Sequence, residues 1–196
     1  RMWGTIPANG LKVDLAVEDP AQFTAQAFIK ALLGRGITVS GSATTAHELP
    51  EGTGNFAAER EQPVSLSRLN LKTVEPALNG RSVLARRISV PVAEDVAIIN
   101  KTSEKLHAEL LLRLLGKLEG NGGSFAQGAR VVRQFLVEAG AKDEDFFLYD
   151  GSGMSADDRV APRTFTTLLA YASRQPWGAE WRATLPIGGV DGTLEN

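Results

Sequence analysis

Six leucines, Leu106, Leu110, Leu111, Leu114, Leu115 and Leu118, fall within thirteen residues at spacings of one, three and four. At 3.6 residues per turn they cover much of the circumference of a helix running from about residue 104 to 118. A helix apolar on that much of its surface belongs inside a core, so the rest of the chain has to enclose it. Downstream of it the chain reads mainly as more helix. Gly120-Asn121-Gly122-Gly123 is a turn, and Ser124 with Gln127 makes a capping-box start to a helix ending at Gly140. Pro91 opens a helix over residues 92–99, and further helices are expected over about 162–173 and 179–183. After residue 91 only Phe146-Phe147-Leu148-Tyr149 reads as a strand. The predicted class is a helix-rich α/β (α+β) fold, with few strands to pack the helices against and sheet strands expected outside the sequence.

The first forty residues have a different rhythm. Residues 3–17 read as two short strands around a turn at Pro7-Ala8-Asn9-Gly10. Asp19 is placed to cap a helix with Pro20 at its first position, running to about Leu33. Gly34 and Gly36 end it before a strand at Ile37-Thr38-Val39, which makes a β-β-α-β unit. From Gly41 to about Gly80 glycines and prolines interrupt any period, and loop with a few short strands is expected. Residues 81–90 alternate again as a strand, with Val83, Ala85 and Ile88 inward.

Composition narrows the function classes. A net charge of −2 with scattered Lys and Arg gives no electrostatic footprint for nucleic acid. No window approaches the ~20 apolar residues of a spanning helix, and no charged-apolar-small series marks a secretory signal within the sequence. Cysteine is absent, and His47 and His107 are isolated, so no metal site or cofactor is indicated.

Three runs carry chemistry together: residues 99–113 around Asn100-Lys101-Thr102-Ser103-Glu104-Lys105, residues 149–155 around Asp150-Gly151-Ser152-Gly153, and residues 185–194 from Leu185-Pro186 to Thr193-Leu194. In that order and spacing they resemble the low-molecular-mass class C penicillin-binding proteins, the D-alanyl-D-alanine carboxypeptidase/endopeptidase family. The resemblance covers residues 82–196 well and 3–40 more loosely. It implies three catalytic elements: Ser-x-x-Lys, whose lysine takes the nucleophile's proton; Ser-x-Asn; and Lys-Thr-Gly on an edge strand that binds the substrate carboxylate.

The resemblance puts Ser103 at the first residue of Ser-x-Asn, on a bend between two helices; as a serine before a helix it also fits a plain N-cap. Lys105 stands where the family has Asn. An amide both donates and accepts, whereas an ammonium only donates and adds charge. Lys101-Thr102-Ser103 imitates Lys-Thr-Gly but lies on a helix bend and overlaps the serine motif. None of the eleven serines begins a Ser-x-x-Lys, and no Lys-Thr-Gly occurs. Asp150, Gly151, Ser152 and Gly153 are expected as a structural turn near the cleft, with Asp191 as a structural hydrogen-bonding residue. Glu109 and Arg113 are spaced as an i, i+4 pair. His107 is expected on a helix surface or in the core, and Asp143-Glu144-Asp145 as a solvated turn.

The resemblance implies a segment of a serine-type D-Ala-D-Ala carboxypeptidase, acting on peptidoglycan stem peptides through an acyl-enzyme that β-lactams trap. Residues 1–75 would be the end of an inserted accessory domain plus linker. Residues 80–196 would be a partial peptidase domain of the penicillin-binding-protein and serine β-lactamase type, incomplete and inactive by itself. A periplasmic or cell-envelope location follows from the family. The alternative is a non-catalytic cell-envelope scaffolding protein with a degenerate penicillin-binding fold.

Overall fold

The computed structural model describes residues 5, 8–10, 16–46, 55–66, 80 and 82–195. The chain divides into two compact units, Arg1–Leu49 and Pro50–Asn196. In the first, α1 spans Pro20–Leu33, and Asp19 caps it by accepting from the Gln22 amide at 2.9 Å. The helix ends where Gly36 takes a positive φ of 76° and the Ile37 amide reaches back to the Leu32 carbonyl. Residues 37–39 form no strand, which corrects the expected β-β-α-β unit: a β-branched triplet has strand propensity but needs a partner to pair with. The strands expected over residues 3–17 lie almost wholly outside the described residues, as does His47.

The second unit is helical. In chain order it contains α2 (Phe56–Glu61), α3 (Val92–Thr102), α4 (Lys105–Glu119), α5 (Phe125–Glu138), β1 (Phe146–Phe147), β2 (Arg159–Val160), α6 (Pro162–Ala172) and α7 (Gly178–Thr184). The strands pair antiparallel, with Phe146 opposite Val160 and Phe147 opposite Arg159. Leu136, Ala141 and Phe146 are buried together, with Phe135, Val160 and Leu168 packed around them.

Helix α4 does not bury the six leucines that its sequence singles out. Leu106, Leu110, Leu114 and Leu115 are exposed. The buried stripe is Leu112 and Gly116, the face on which α5 packs. There the contact is backbone on backbone: a Cβ added at Gly128 of α5 would lie 2.3 Å from the Leu112 carbonyl oxygen. The capping box is half formed. Ser124 Oγ accepts from the Gln127 amide at 3.2 Å, but the Gln127 side chain accepts from Asn121 N and donates to Glu59. That last bond helps to hold α2 on α5.

Two further expectations are corrected. Residues 82–90 form no strand, and Leu84 and Ile88 are 97% and 85% exposed; no strand among the described residues pairs with them. Asp143-Glu144-Asp145 is a 3-10 turn in which Asp143 and Glu144 are exposed as a solvated turn requires, but Asp145 is not. Asp145 is buried and accepts from both Nε and a terminal nitrogen of Arg163, while Asp143 binds Arg133 at 2.6 and 2.7 Å. Hydrogen bonds from Arg163 and Arg133 hold the two carboxyls below the usual range. Beside them Arg60, 3% exposed, donates to the Phe146 carbonyl and lies 4.3 Å over the Phe147 ring. Burial pulls its guanidinium pKa down.

Candidate functional site

Helices α3 and α4 meet at Ser103. Its backbone is left-handed, φ 59° and ψ 47°, and among the described residues it alone of the non-glycines has a positive φ. The local hydrogen bonding says why. The Glu104 amide bonds to the Ile99 carbonyl at 3.2 Å, five residues back, which closes α3 in the same way that Ile37 closes α1 and Ala141 closes α5. In those two helices the left-handed residue is a glycine, Gly36 and Gly140. Here it is serine, at a cost of roughly 1–2 kcal/mol. Ser103 therefore ends α3 and does not cap α4; the cap is Glu104, whose carboxylate accepts from the Leu106 amide.

The turn points the Ser103 hydroxyl at Lys105, whose ammonium donates to Ser103 Oγ at 2.9 Å. Both side chains are exposed. With Oγ accepting from Lys105, the serine proton remains free to be donated. The pair can thus hold a substrate oxygen and stabilise negative charge on it, but an ammonium supplies no acceptor and so no base. Thr102 is spent on the Ile98 carbonyl. Lys101 turns the other way, to Asp191 and the Leu185 carbonyl, which removes it from any imitation of Lys-Thr-Gly.

One turn along α4, the Asp150 loop docks. Asp150 gathers its own loop: one carboxylate oxygen accepts from Gly153 N at 2.6 Å, the other from Ser155 N at 2.7 Å, Met154 N and the Ser152 hydroxyl. Ser152 is thereby a loop residue with a partner, as a structural turn requires. Gly151 donates to Glu109 at 3.2 Å, and a Cβ on it would sit 2.5 Å from the Ala108 carbonyl. Glu109 thus pairs with the loop and not with Arg113, which donates to the Gly123 carbonyl at 2.8 Å. His107 shares a hydrogen bond with Asp95 at 2.6 Å.

Asp158, which sequence reasoning missed, completes the loop by accepting from Tyr149 N at 2.6 Å. Burial, together with a hydrogen bond to Asp150, raises its pKa. Asp150 is half-buried like Asp158 and partial burial pushes its carboxyl up, but the amides of Gly153 and Ser155 outweigh that and lower its pKa. Both carboxylates face a cavity of about 390 Å³ between α3, α4 and α7, lined also by Ile99, Leu111, Leu148 and Trp181. Ser103 and Lys105 lie outside its lining. Asp158 carries no motif; its signal would have been an acid eight residues after Asp150, too common a spacing to notice. Among the described residues no group of three His, Asp or Glu is placed to hold a metal.

Known proteins resemble this chain over different lengths. A D-alanyl-D-alanine carboxypeptidase of Actinomadura sp. (strain R39) is 28% identical over 98% of the chain and 32% of its own length. The D-alanyl-D-alanine carboxypeptidase DacB of Haemophilus influenzae is 31% identical over 57% of the chain and 24% of its own length. The chain spans about a third or less of these relatives. Penicillin binding protein 4 (dacB) from Haemophilus influenzae, solved in complex with a novel β-lactam, superposes with a TM-score of 0.70 over 93% of the chain and 36% of that structure, at 23% identity. That likeness establishes the helix-rich α+β fold. The bend at Ser103, the Asp150 loop and the segment after α7 all fall within residues 69–196, which match the D-Ala-D-Ala carboxypeptidase 3 (S13) family, and the chain belongs to that family.

Proposed function

We propose that the chain is a segment of a serine-type D-Ala-D-Ala carboxypeptidase/endopeptidase that acts on peptidoglycan stem peptides through an acyl-enzyme. The observation that carries the reading is Ser103 held in a left-handed turn with an ammonium on its hydroxyl. Backbone strain at a polar, exposed residue, where two other helices of the chain use glycine, points to a side chain kept for its chemistry. In this reading Ser103 and Lys105 donate to the substrate amide and to the oxygen that gains charge on acylation. Asp150, Gly151, Ser152 and Gly153 shape the adjoining wall.

The sequence has neither Ser-x-x-Lys nor Lys-Thr-Gly, so the nucleophile and the carboxylate-binding strand are supplied by polypeptide beyond these 196 residues. In this reading residues from about 80 onward form part of the peptidase domain, and residues up to about 75 are the end of an accessory domain and a linker, whose α2 packs back on α5. The partners are peptidoglycan stem peptides as substrate and β-lactams as inhibitors, at the cell envelope. No helix among the described residues is long and apolar enough to cross a membrane.

The test is the intact mass of the longer gene product with and without excess penicillin. A gain of one penicillin mass supports the reading. An unchanged mass overturns it and leaves a fold retained for scaffolding.

A further inference from the structure

Helix α3 ends against the segment that follows α7. Asn100 donates from Nδ2 to the Thr184 hydroxyl at 2.7 Å. The next residue, Lys101, carries its ammonium to Asp191 Oδ2 at 2.6 Å and to the Leu185 carbonyl at 3.0 Å. The second oxygen of Asp191 accepts from Ile187 N at 2.9 Å, so one carboxylate folds its own loop and joins it to α3. The Lys101 hydrogen bond and the Ile187 amide together hold the Asp191 carboxyl below its usual range. Gly192 closes the arrangement. Its φ is +65°, and a Cβ there would lie 2.5 Å from the carbonyl oxygen of Lys101 and 3.0 Å from Pro186. Backbone therefore rests on backbone two residues before Ser103.

A left-handed residue with a Cβ persists only where its surroundings over-determine it. The Ser103 side chain supplies little of that, because its partner Lys105 is exposed. The contacts made by Asn100, Lys101 and Gly192 fix the last turn of α3 from which the Ser103 turn departs.

We propose that Lys101, Asp191 and Gly192 clamp the end of α3 and thereby hold Ser103 in its left-handed turn, which makes Lys101 and Asp191 positioning residues for the Ser103 hydroxyl. Its catalytic consequence rests on the peptidase reading above; its effect on the Ser103 backbone does not.

The first measurement is NMR of the 196-residue chain, using the backbone shifts and couplings that report φ at Ser103. In Asp191→Asn and Gly192→Ala the Ser103 signals leave the left-handed range, while Gly36 and Gly140, at other helix ends, keep theirs. Asp191→Glu retains the wild-type signals. Unchanged Ser103 signals in both of the first two variants overturn the clamp. Asp191→Asn removes one surface charge and keeps the acceptor for Ile187, so it preserves the test if Gly192→Ala does not fold.

The second measurement is penicillin acylation of the full-length protein. Asp191→Asn slows the acylation step by about tenfold, as a small misplacement of a reacting group does, with the Kd for penicillin unchanged. A purely structural role would lower Tm and leave that step as it was, which overturns positioning. A wild-type protein that penicillin does not acylate overturns the peptidase reading alone, and the NMR measurement still decides the clamp.

Discussion

The Lys105 ammonium lies 2.9 Å from the Ser103 hydroxyl oxygen, although residues two apart on a helix do not face each other. The contact exists because Ser103 stands outside α4 on a left-handed turn, so Lys105, the first residue of α4, reaches back across Glu104. A cation in that place opposes the helix dipole, which favours negative charge at the N-terminus. Residue 105 thus works against local stability.

Replacing Lys105 by Met separates the two effects. The variant gains about 0.3 kcal/mol in chain stability through relief of the dipole conflict. On the peptidase reading, penicillin acylation of the full-length protein slows by about 100-fold or more, the usual worth of a positioned hydrogen-bond donor. Thermal unfolding and stopped-flow acylation measure the two halves.

Ser103→Gly trades function for stability in the same way. Relief of the left-handed strain, less the entropy that glycine adds to the unfolded chain, leaves a gain of about 0.5–1 kcal/mol. Urea unfolding of the chain reads that gain. On the peptidase reading, loss of the hydroxyl lowers acylation of the full-length protein by about 100-fold or more.

Gly128→Ala tests the α4–α5 contact. Its Cβ would meet the Leu112 carbonyl at 2.3 Å, and rigid backbone on both sides leaves little room to yield. A loss of about 3 kcal/mol is expected, read from the urea midpoint. A change below about 1 kcal/mol would show that the two helices can separate freely.

The Asp158 carboxyl titrates above its unfolded value and Asp150 below its own. A raised pKa means stability present below the unfolded pKa and lost as pH rises through the folded one, so ionised Asp158 destabilises the chain at neutral pH. Asp158→Asn keeps an acceptor for Tyr149 N and removes that charge. Its Tm at pH 7 rises by about 2 °C, and the gain disappears below about pH 4, where Asp158 is protonated in both states. Calorimetry across pH 3–8 gives the answer. The lowered pKa of Asp150 acts in the opposite sense: its contribution is present above its unfolded pKa and is lost as pH falls through the folded one.

Where a residue carries its own local hydrogen bond, the sequence was readable. Asp19 and Ser124 cap α1 and α5 as their types require, and Pro162 opens α6 with the φ it already has. What was not legible depends on distant partners. Helix α2 has six residues, too short for a period, and lies on α5 seventy residues away. Arg60 at its end reads as a surface cation and is buried against two phenylalanines. The alternation of Val83, Ala85 and Ile88 suits a strand, but pairing is non-local and no described strand meets it. At the site, Ser103 looked like a helix start because serine commonly is one. Its position as the end of α3 could have been suspected from the absence of glycine between two adjoining helical runs.

Helix α4 carries Lys105 at one end and, along Ala108, Leu112 and Gly116, the seats of the Asp150 loop and of α5. Over its length of about 22 Å it serves as a common ruler, with parts registered on it by main-chain contact and not by side-chain rotamers. A shift of α4 along its axis would carry the Lys105 ammonium and the Asp150 loop together and keep their separation. Gly151 sets the tolerance of that separation and Gly128 the seat of α5, and polymorphism at either should accordingly be rarer in natural populations than at the leucines that dominate the helix.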